Sequence, residues 1–225
     1  MHVDIKICGM TEAAGLRAAC DAGADLAGFV FFSRSPRNIG VASAAGLAAT
    51  ARERIGIVAL LVDAPDDLVD AVVEGLAPDF LQLHGQETPE RCVELRRRHK
   101  LPLIKAFGIG DAGDVDAIRG YHGVIDRILV DAKPPKDAER PGGLGRSFDW
   151  SLLDRLGAHP PLMLSGGLDA GNVGEAIAIA GPDGVDVSSG VESAPGRKDP
   201  VRIREFVAAV RAAEAAGAPA KEFEE

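Results

Sequence analysis

Two short apolar runs in the last third of the chain end in Ser and Gly: Leu162-Met163-Leu164-Ser165-Gly166-Gly167-Leu168 and Val185-Asp186-Val187-Ser188-Ser189-Gly190-Val191-Glu192. A strand that hands over to a helix through such a turn exposes backbone N–H groups to an anion, so the two turns together suggest a cup for one phosphate. Earlier runs of the same kind end near groups that transfer protons or hold charge: Cys8, Arg34 and Arg37 in one loop, Asp63, Gln82 with His84, Lys105, and Asp131 with Lys133. Cys8, followed by Gly9, is either a buried space-filler or a base activated as thiolate by nearby cations. Asp131 suits a general acid, and the pair could divide one proton in from one proton out. At least one of Arg34 and Arg37 offers the planar guanidinium that grips an anionic substrate group. His84 is explained equally by a satisfied polar group and by a participant, and Asp186 by a residue that orients its neighbour. Lys6 and Lys105 raise a competing chemistry, a Schiff base, which needs a desolvated amine.

These groups are useful only if the chain gathers them, and its periodicity predicts how. Val3 to Cys8 reads as a strand, followed by an Ala-rich helix capped by Thr11 and running to about Asp21. Asp25 to Phe32 is a buried strand, Ser33 to Asn38 a polar loop, and a helix is expected from a cap near Ser43. Further strands are expected at Ile55 to Val62, Asp79 to His84, Leu103 to Phe107, Arg127 to Val130, Leu162 to Leu164 and Val185 to Val187. Helices are expected to about Leu76, from Thr88-Pro89-Glu90 to the basic end Arg96 to Lys100, around Asp114 to Arg119, and from about Asn172 and Pro200. Eight strand-then-helix units predict an α/β fold, a single (β/α)8 TIM barrel over 1–215, with 216–225 as a frayed tail. A doubly wound open sheet would usually carry a G-x-G-x-x-G turn after its first strand, where this chain has Cys8-Gly9-Met10-Thr11. Reactive groups of a barrel sit at the C-terminal strand ends, which is where the residues above fall. The long apolar-poor stretch 134–147, with Gly142-Gly143-Leu144-Gly145, is a lid candidate.

Composition narrows the partners. The chain has 225 residues, 46% of them hydrophobic and 4% aromatic, enough for one sizeable core that favours close helix-on-strand packing. A formal charge of −9 with no basic, aromatic-interleaved patch argues against nucleic acid. Three cysteines without metal-ligand spacing fit a reduced, cytoplasmic protein, and no apolar run predicts a membrane span. Both a monomer and a homodimer are compatible with the pattern.

Seven motifs in register resemble the phosphoribosylanthranilate isomerase family of tryptophan biosynthesis. They are Lys6-Ile7-Cys8-Gly9-Met10-Thr11, Gly28-Phe29-Val30-Phe31 with Ser35-Pro36-Arg37, Leu81-Gln82-Leu83-His84-Gly85, Leu129-Val130-Asp131-Ala132-Lys133, Gly142-Gly143-x-Gly145 with Phe148-Asp149-Trp150, and the two Ser/Gly turns. The resemblance implies an Amadori rearrangement of phosphoribosylanthranilate, a small-molecule substrate, with no cofactor and no metal. It implies Asp131 as general acid and Cys8, as thiolate, as general base. Arg37 would face the anthranilate carboxylate, with Gln82, His84 and Asp186 completing the substrate-binding set, and Gly166, Gly167, Ser189 and Gly190 would hold the phosphate. A related bifunctional isomerase uses Asp as its base, so Cys8 points to the single-substrate enzyme. Leu144 stands where the family usually carries a small polar residue, which bears on lid closure.

Overall fold

A computed structural model describes residues 2–133, 142, 145 and 147–217. Eight parallel strands close in chain order: β1 (Asp4–Cys8), β2 (Leu26–Phe31), β3 (Gly56–Leu61), β4 (Phe80–Leu83), β5 (Leu103–Ile109), β6 (Arg127–Ala132), β7 (Leu162–Leu164) and β8 (Gly184–Val187), with β8 pairing back onto β1. Helices α1 (Ala13–Ala22), α2 (Val41–Ala49), α3 (Asp66–Leu76), α4 (Pro89–His99), α5 (Ala112–Ala117), α6 (Val173–Ala180) and α7 (Pro200–Ala215) surround them. The expected (β/α)8 barrel is the observed one.

Because successive strand residues point to opposite faces, each strand serves two cores. Ile5, Ile7, Ala27, Phe29, Ile57, Leu61, Leu81 and Leu83 join the layer shared with the helices. Leu26, Val58, Ile104, Ala106, Leu129 and Met163 fill the barrel interior, and Cys8, Val30 and Leu60 form a smaller apolar group nearer the C-terminal ends. The strands are therefore apolar on both faces, which is why they read as near-continuous hydrophobic runs.

At the opposite end of the barrel the strands are tied in pairs by one repeated device. Asp25, Asp79, Asp126 and Asp183 immediately precede β2, β4, β6 and β8. Their carboxylates accept from the backbone N–H of Ile5, Ile57, Leu103 and Leu162 at 2.8, 2.6, 2.8 and 2.7 Å. The backbone N–H of each Asp donates back to the carbonyl of the same residue at 2.8–2.9 Å. One carboxylate thus satisfies a donor at the start of a strand and fixes its register against the next.

Local expectations fail where a tertiary partner takes over. Thr11 does not cap α1: its hydroxyl donates to the Gly196 carbonyl at 2.7 Å, and Glu12 occupies the cap position. The second helix starts from Gly40, so Ser43 lies inside its first turn. Asp111, with a capping box to Asp114, starts the fifth helix, which ends in a 3-10 turn over Ile118–Tyr121. Among the described residues between β6 and β7 the chain forms a 3-10 segment, Trp150–Leu156. After β8 the chain makes a 3-10 turn, Ser189–Val191, and then a small hairpin, β9 (Glu192–Ala194) with β10 (Arg197–Lys198), before α7. The basic end of α4 is laced to acids: Arg98 pairs with Asp66 and Asp70, and Arg96 with Asp126. The lid candidate falls largely outside the described residues, as do Gly143, Leu144 and the tail from 218. No described helix is long and apolar enough to cross a membrane.

Removing one register-fixing carboxylate orphans a buried N–H. Asp79→Ala is expected to lower the unfolding free energy by about 1–3 kcal/mol, and Asp79→Asn, which keeps an acceptor oxygen, to recover most of it. Urea titration measures both; an alanine variant as stable as the parent would deny the device its role.

Candidate active site

The inward positions at the C-terminal strand ends gather polar groups against an apolar wall. Cys8, His84, Asp131, Ser165, Asp186 and Ser188 line a cleft of about 510 Å³, closed on one side by Val30, Phe32, Leu60 and Val62 and joined by Arg37 from the loop after β2. A smaller space of about 260 Å³ shares Asp131, Ser165, Asp186 and Ser188 with it and adds Gly166, Gly167 and Ser189. Gly166 and Gly167 have φ of 93° and 63°, a left-handed backbone that few other residues adopt. Gly190 does not line either space. A Cβ there would lie 2.0 Å from the Leu168 carbonyl oxygen, so this glycine lets the two Ser/Gly turns pack backbone to backbone.

Lys6 and Asp186 face each other across the β1–β8 seam as register partners, with Lys6 Nζ 2.7 Å from Asp186 Oδ1 and no solvent exposure of the lysine. Burial works to lower the Lys6 pKa, but the charge and hydrogen bond of Asp186, with help from Cys8, raise it above its ordinary value. An amine held as ammonium is a poor Schiff-base nucleophile. Ser165 donates its hydroxyl to the other Asp186 oxygen at 3.3 Å. Gly28 is the register partner of Cys8 on β2, and a Cβ there would stand 2.9 Å from Cys8 Sγ and 3.2 Å from Lys6 Nζ. Gly28 therefore leaves the space into which both groups project. Burial pushes the Cys8 thiol up and Asp186 adds to this, outweighing the pull of Lys6 and Lys198. The thiolate expected from nearby cations is thus not the resting form of Cys8 at neutral pH, because desolvation wins.

His84 is pushed down to about 4, first by burial and then by the nearby Lys105 and Lys6 charges, so its ring is neutral at neutral pH. Gln82, fully buried beneath it, donates from Nε2 to His84 Nδ1 at 2.9 Å, which leaves the ring hydrogen on His84 Nε2. That nitrogen lies 3.7 Å from Asp131 Oδ2, and Asp131 Oδ1 accepts from the Ala132 N–H at 2.8 Å. A Cβ on Gly142 would be 2.6 Å from both Asp131 Oδ2 and His84 Nε2, so only glycine fits over this pair. Of the two loop arginines Arg37 is buried and lines the cleft, whereas Arg34 is exposed and does not.

Other strand-end candidates are not brought to the cleft. Lys105 sits between the inward-facing Ile104 and Ala106, so it points outward, 3.2 Å from Glu87 Oε2, and donates to the Gly85 and Ala106 carbonyls. Lys133 is exposed and pairs with Asp114 at 2.5 Å. Asp63, at φ 45°, accepts from Gln86 N–H in the neighbouring loop. Conversely, Glu192 and Lys198 are buried beside Arg37, with Glu192 bonded to it, and sequence reasoning assigned neither a role. Charged residues close to Gly196 read as an exposed turn unless the partner that buries them is known. Among the described residues the one cluster with metal-holding spacing, His2, Asp4 and Asp25, lies at the far end of the barrel from this cleft.

A family model described as N-(5'phosphoribosyl)anthranilate (PRA) isomerase matches residues 5–209. An N-(5'-phosphoribosyl)anthranilate isomerase of Rhodopseudomonas palustris is 52% identical over 213 residues, covering 95% of this chain and 100% of the relative. The crystal structure of phosphoribosyl anthranilate isomerase from Thermotoga maritima is 34% identical with a TM-score of 0.84, covering 94% of this chain and 100% of that one. A further structure, at 32% identity and TM-score 0.81 over 94% of this chain and 100% of that one, holds the enzyme in complex with reduced 1-(o-carboxyphenylamino)-1-deoxyribulose 5-phosphate.

The Lys6–Asp186 pair is buried enough that one partner cannot be removed cheaply. Lys6→Met should strand Asp186 and destabilise the protein by about 3–5 kcal/mol, seen as a lower denaturation midpoint at unchanged slope. A loss below about 1 kcal/mol would mean that Asp186 is compensated by something else.

Proposed function

The chain belongs to the N-(5'-phosphoribosyl)anthranilate isomerase family, and on that premise we propose that Asp131 and Cys8 are the acid and the base of its reaction. The enzyme converts N-(5'-phosphoribosyl)anthranilate into 1-(2-carboxyphenylamino)-1-deoxyribulose 5-phosphate, an aldose-to-ketose isomerisation in tryptophan biosynthesis. The barrel over 1–215 is its catalytic unit. A biosynthetic step on charged sugar phosphates is what supports the cytoplasm as its compartment. The observation that supports the assignment is that Cys8 and Asp131 line a single cleft, with Arg37 in the same wall and the Ser/Gly cup adjoining at Asp131, while the other carboxyl of the cleft, Asp186, is bonded to Lys6.

The phosphate is held by backbone N–H groups of Gly166, Gly167 and Ser189, in a cup that no cationic side chain lines among the described residues. The anthranilate ring lies on Val30, Phe32, Leu60 and Val62, and its carboxylate reaches Arg37. Asp131, protonated, gives its proton to the furanose ring oxygen as the C1–O bond breaks, and the nitrogen lone pair forms the C1=N iminium. That cation acidifies the C2 hydrogen, which Cys8 thiolate removes; the C–H electrons form the C1=C2 bond and neutralise the nitrogen. The enolamine then gains a proton at C1 and loses one from its C2 hydroxyl, giving the ketone. His84 helps by being neutral. An imidazolium beside Asp131 would favour the carboxylate, and the neutral ring puts no such charge there.

Cys8→Ala and Asp131→Asn are each expected to reduce kcat by about 10²–10⁴-fold while a product analogue still binds. The assay is the fall in anthranilate fluorescence with phosphoribosylanthranilate generated in situ, and a variant retaining a tenth of the activity or more would lose its assigned role. The base works only when deprotonated, and its pKa lies above the ordinary thiol value. The active fraction should therefore climb as pH rises, and kcat/KM should increase through the alkaline range. A profile flat from neutrality upward would mean that Cys8 does not titrate as the base in the free enzyme.

A further inference from the structure

The hairpin after β8 lies outside the barrel proper, yet it sends two buried charges toward the mouth. Glu192, at the start of β9, accepts from Arg37 at both oxygens, Nε to Oε1 at 2.7 Å and Nη2 to Oε2 at 2.8 Å. Lys198, in β10, donates to the same Oε1 at 2.9 Å and to the Ser188 carbonyl at 2.9 Å. Arg202 fixes the Glu192 backbone, donating to its carbonyl at 2.6 Å. The hairpin turn is anchored as well: Thr11 donates to the Gly196 carbonyl, and a Cβ on Gly196 would lie 2.5 Å from the Pro36 carbonyl oxygen. On its other side the Arg37 stem rests on Gly9, where a Cβ would be 2.5 Å from Arg37 Cδ.

The choice of nitrogens matters. Nε and Nη2 form the side-on edge of a guanidinium, and Glu192 occupies that edge in a fork. Left over is the end-on edge, Nη1 with the second Nη2 hydrogen, as the donors a ligand in the cleft can use. Burial works to raise the Glu192 pKa, but the Arg37 hydrogen bond and the Lys198 charge outweigh it and hold the carboxyl below its ordinary range. Lys198 moves the other way from a normal ion pair: its pKa is lowered, since its burial is more complete and Arg37 repels it. The geometry carries the arrangement: Glu192 lies between Arg37 and Lys198 and accepts from both. Two cations around one anion also leave net positive charge facing an incoming anion.

We propose that Glu192, held by Lys198, is the positioning residue for substrate recognition, fixing Arg37 so that only its end-on edge meets the substrate carboxylate. The proposal rests on the reading of Arg37 as the carboxylate clamp and adds the reason that clamp has one orientation. An arginine already ordered by Glu192 loses little further freedom on binding, and it places the anthranilate nitrogen and C1 at a fixed distance from Cys8.

The test compares two ligands, the reduced carboxyphenylamino-deoxyribulose phosphate and its phenylamino counterpart without the carboxylate. Glu192→Gln should weaken the carboxylated ligand and raise KM about tenfold or more, with a smaller change in kcat. Affinity for the carboxylate-free ligand should stay within about twofold, and the Arg37→Ala, Glu192→Gln double variant should bind no worse than Arg37→Ala alone. Glu192→Asp, which keeps the charge but is too short for the fork, should show the same selective loss and serves if the glutamine variant does not fold. Equal loss of both ligands, or additive losses in the double variant, would assign Glu192 a merely structural role and overturn the proposal. An active wild type whose Glu192 variants are indifferent to the carboxylate overturns this inference alone. A wild type that fails to turn over phosphoribosylanthranilate overturns the functional reading beneath it.

Discussion

A lysine without solvent exposure sits inside the barrel, and much of the mouth is arranged around the need to compensate it. Lys6 can stay charged there only because Asp186 stands opposite at 2.7 Å, on the strand that closes the barrel onto β1. Closure and charge compensation are therefore one constraint, since a slip in the β1–β8 register would separate the pair and leave two buried charges alone. Ser165 braces the second Asp186 oxygen, tying β7 into the same arrangement. Cys8 lies in the space left by Gly28 against this pair, where burial raises its proton affinity and Lys6 works against the rise.

Parity along the strands explains which residues reach chemistry. Cys8 and Lys6, Gln82 and His84, Asp131, Ser165 and Asp186 all fall on inward positions, and the residues that alternate with them along the strands, Ile5, Ile7, Leu81, Leu83, Val130, Leu164, Val185 and Val187, belong to the helix-facing core. Lys105 shows the consequence of being one residue out. It ends up buried among carbonyls and Glu87, supporting the loop beside His84 from outside the barrel. Strand-end position alone does not make a site residue; position and parity together do.

The same distinction marks how much could be read in the chain. The barrel was legible because its strands are apolar on both faces and are broken by Gly, Pro and capping residues at regular intervals, and the Ser/Gly turns were legible because few other residues tolerate that backbone. What escaped were features fixed by distant partners. Thr11 has a cap's chemistry but its hydroxyl is taken by Gly196, 185 residues away. Glu192 and Lys198 look like surface charges of a turn, and nothing local reveals that Arg37, 155 residues from Glu192, folds over to bury them. Ionisation is the least legible of all. Cations near Cys8 suggest a thiolate from sequence, and both Lys6 and Lys198 are indeed near, yet desolvation outweighs them.

Charge beside the cleft bears on what the substrate brings. Lys6 and Asp186 cancel, His84 is neutral, Cys8 rests as thiol, and in the cluster around Arg37 the two cations Arg37 and Lys198 exceed Glu192 by one positive charge. On the proposed reading the substrate carboxylate meets that local excess, while the phosphate meets backbone dipoles that carry no net charge. A thiolate formed in the empty cleft would be an added buried anion with Asp186 nearby, which is why the thiol keeps its proton. Once ring opening creates an iminium next to C2, a cation faces Cys8 and the thiolate has a partner it lacked before. On the proposed reading ring opening comes first, because only the iminium makes the C2 hydrogen acidic enough for Cys8 thiolate to remove.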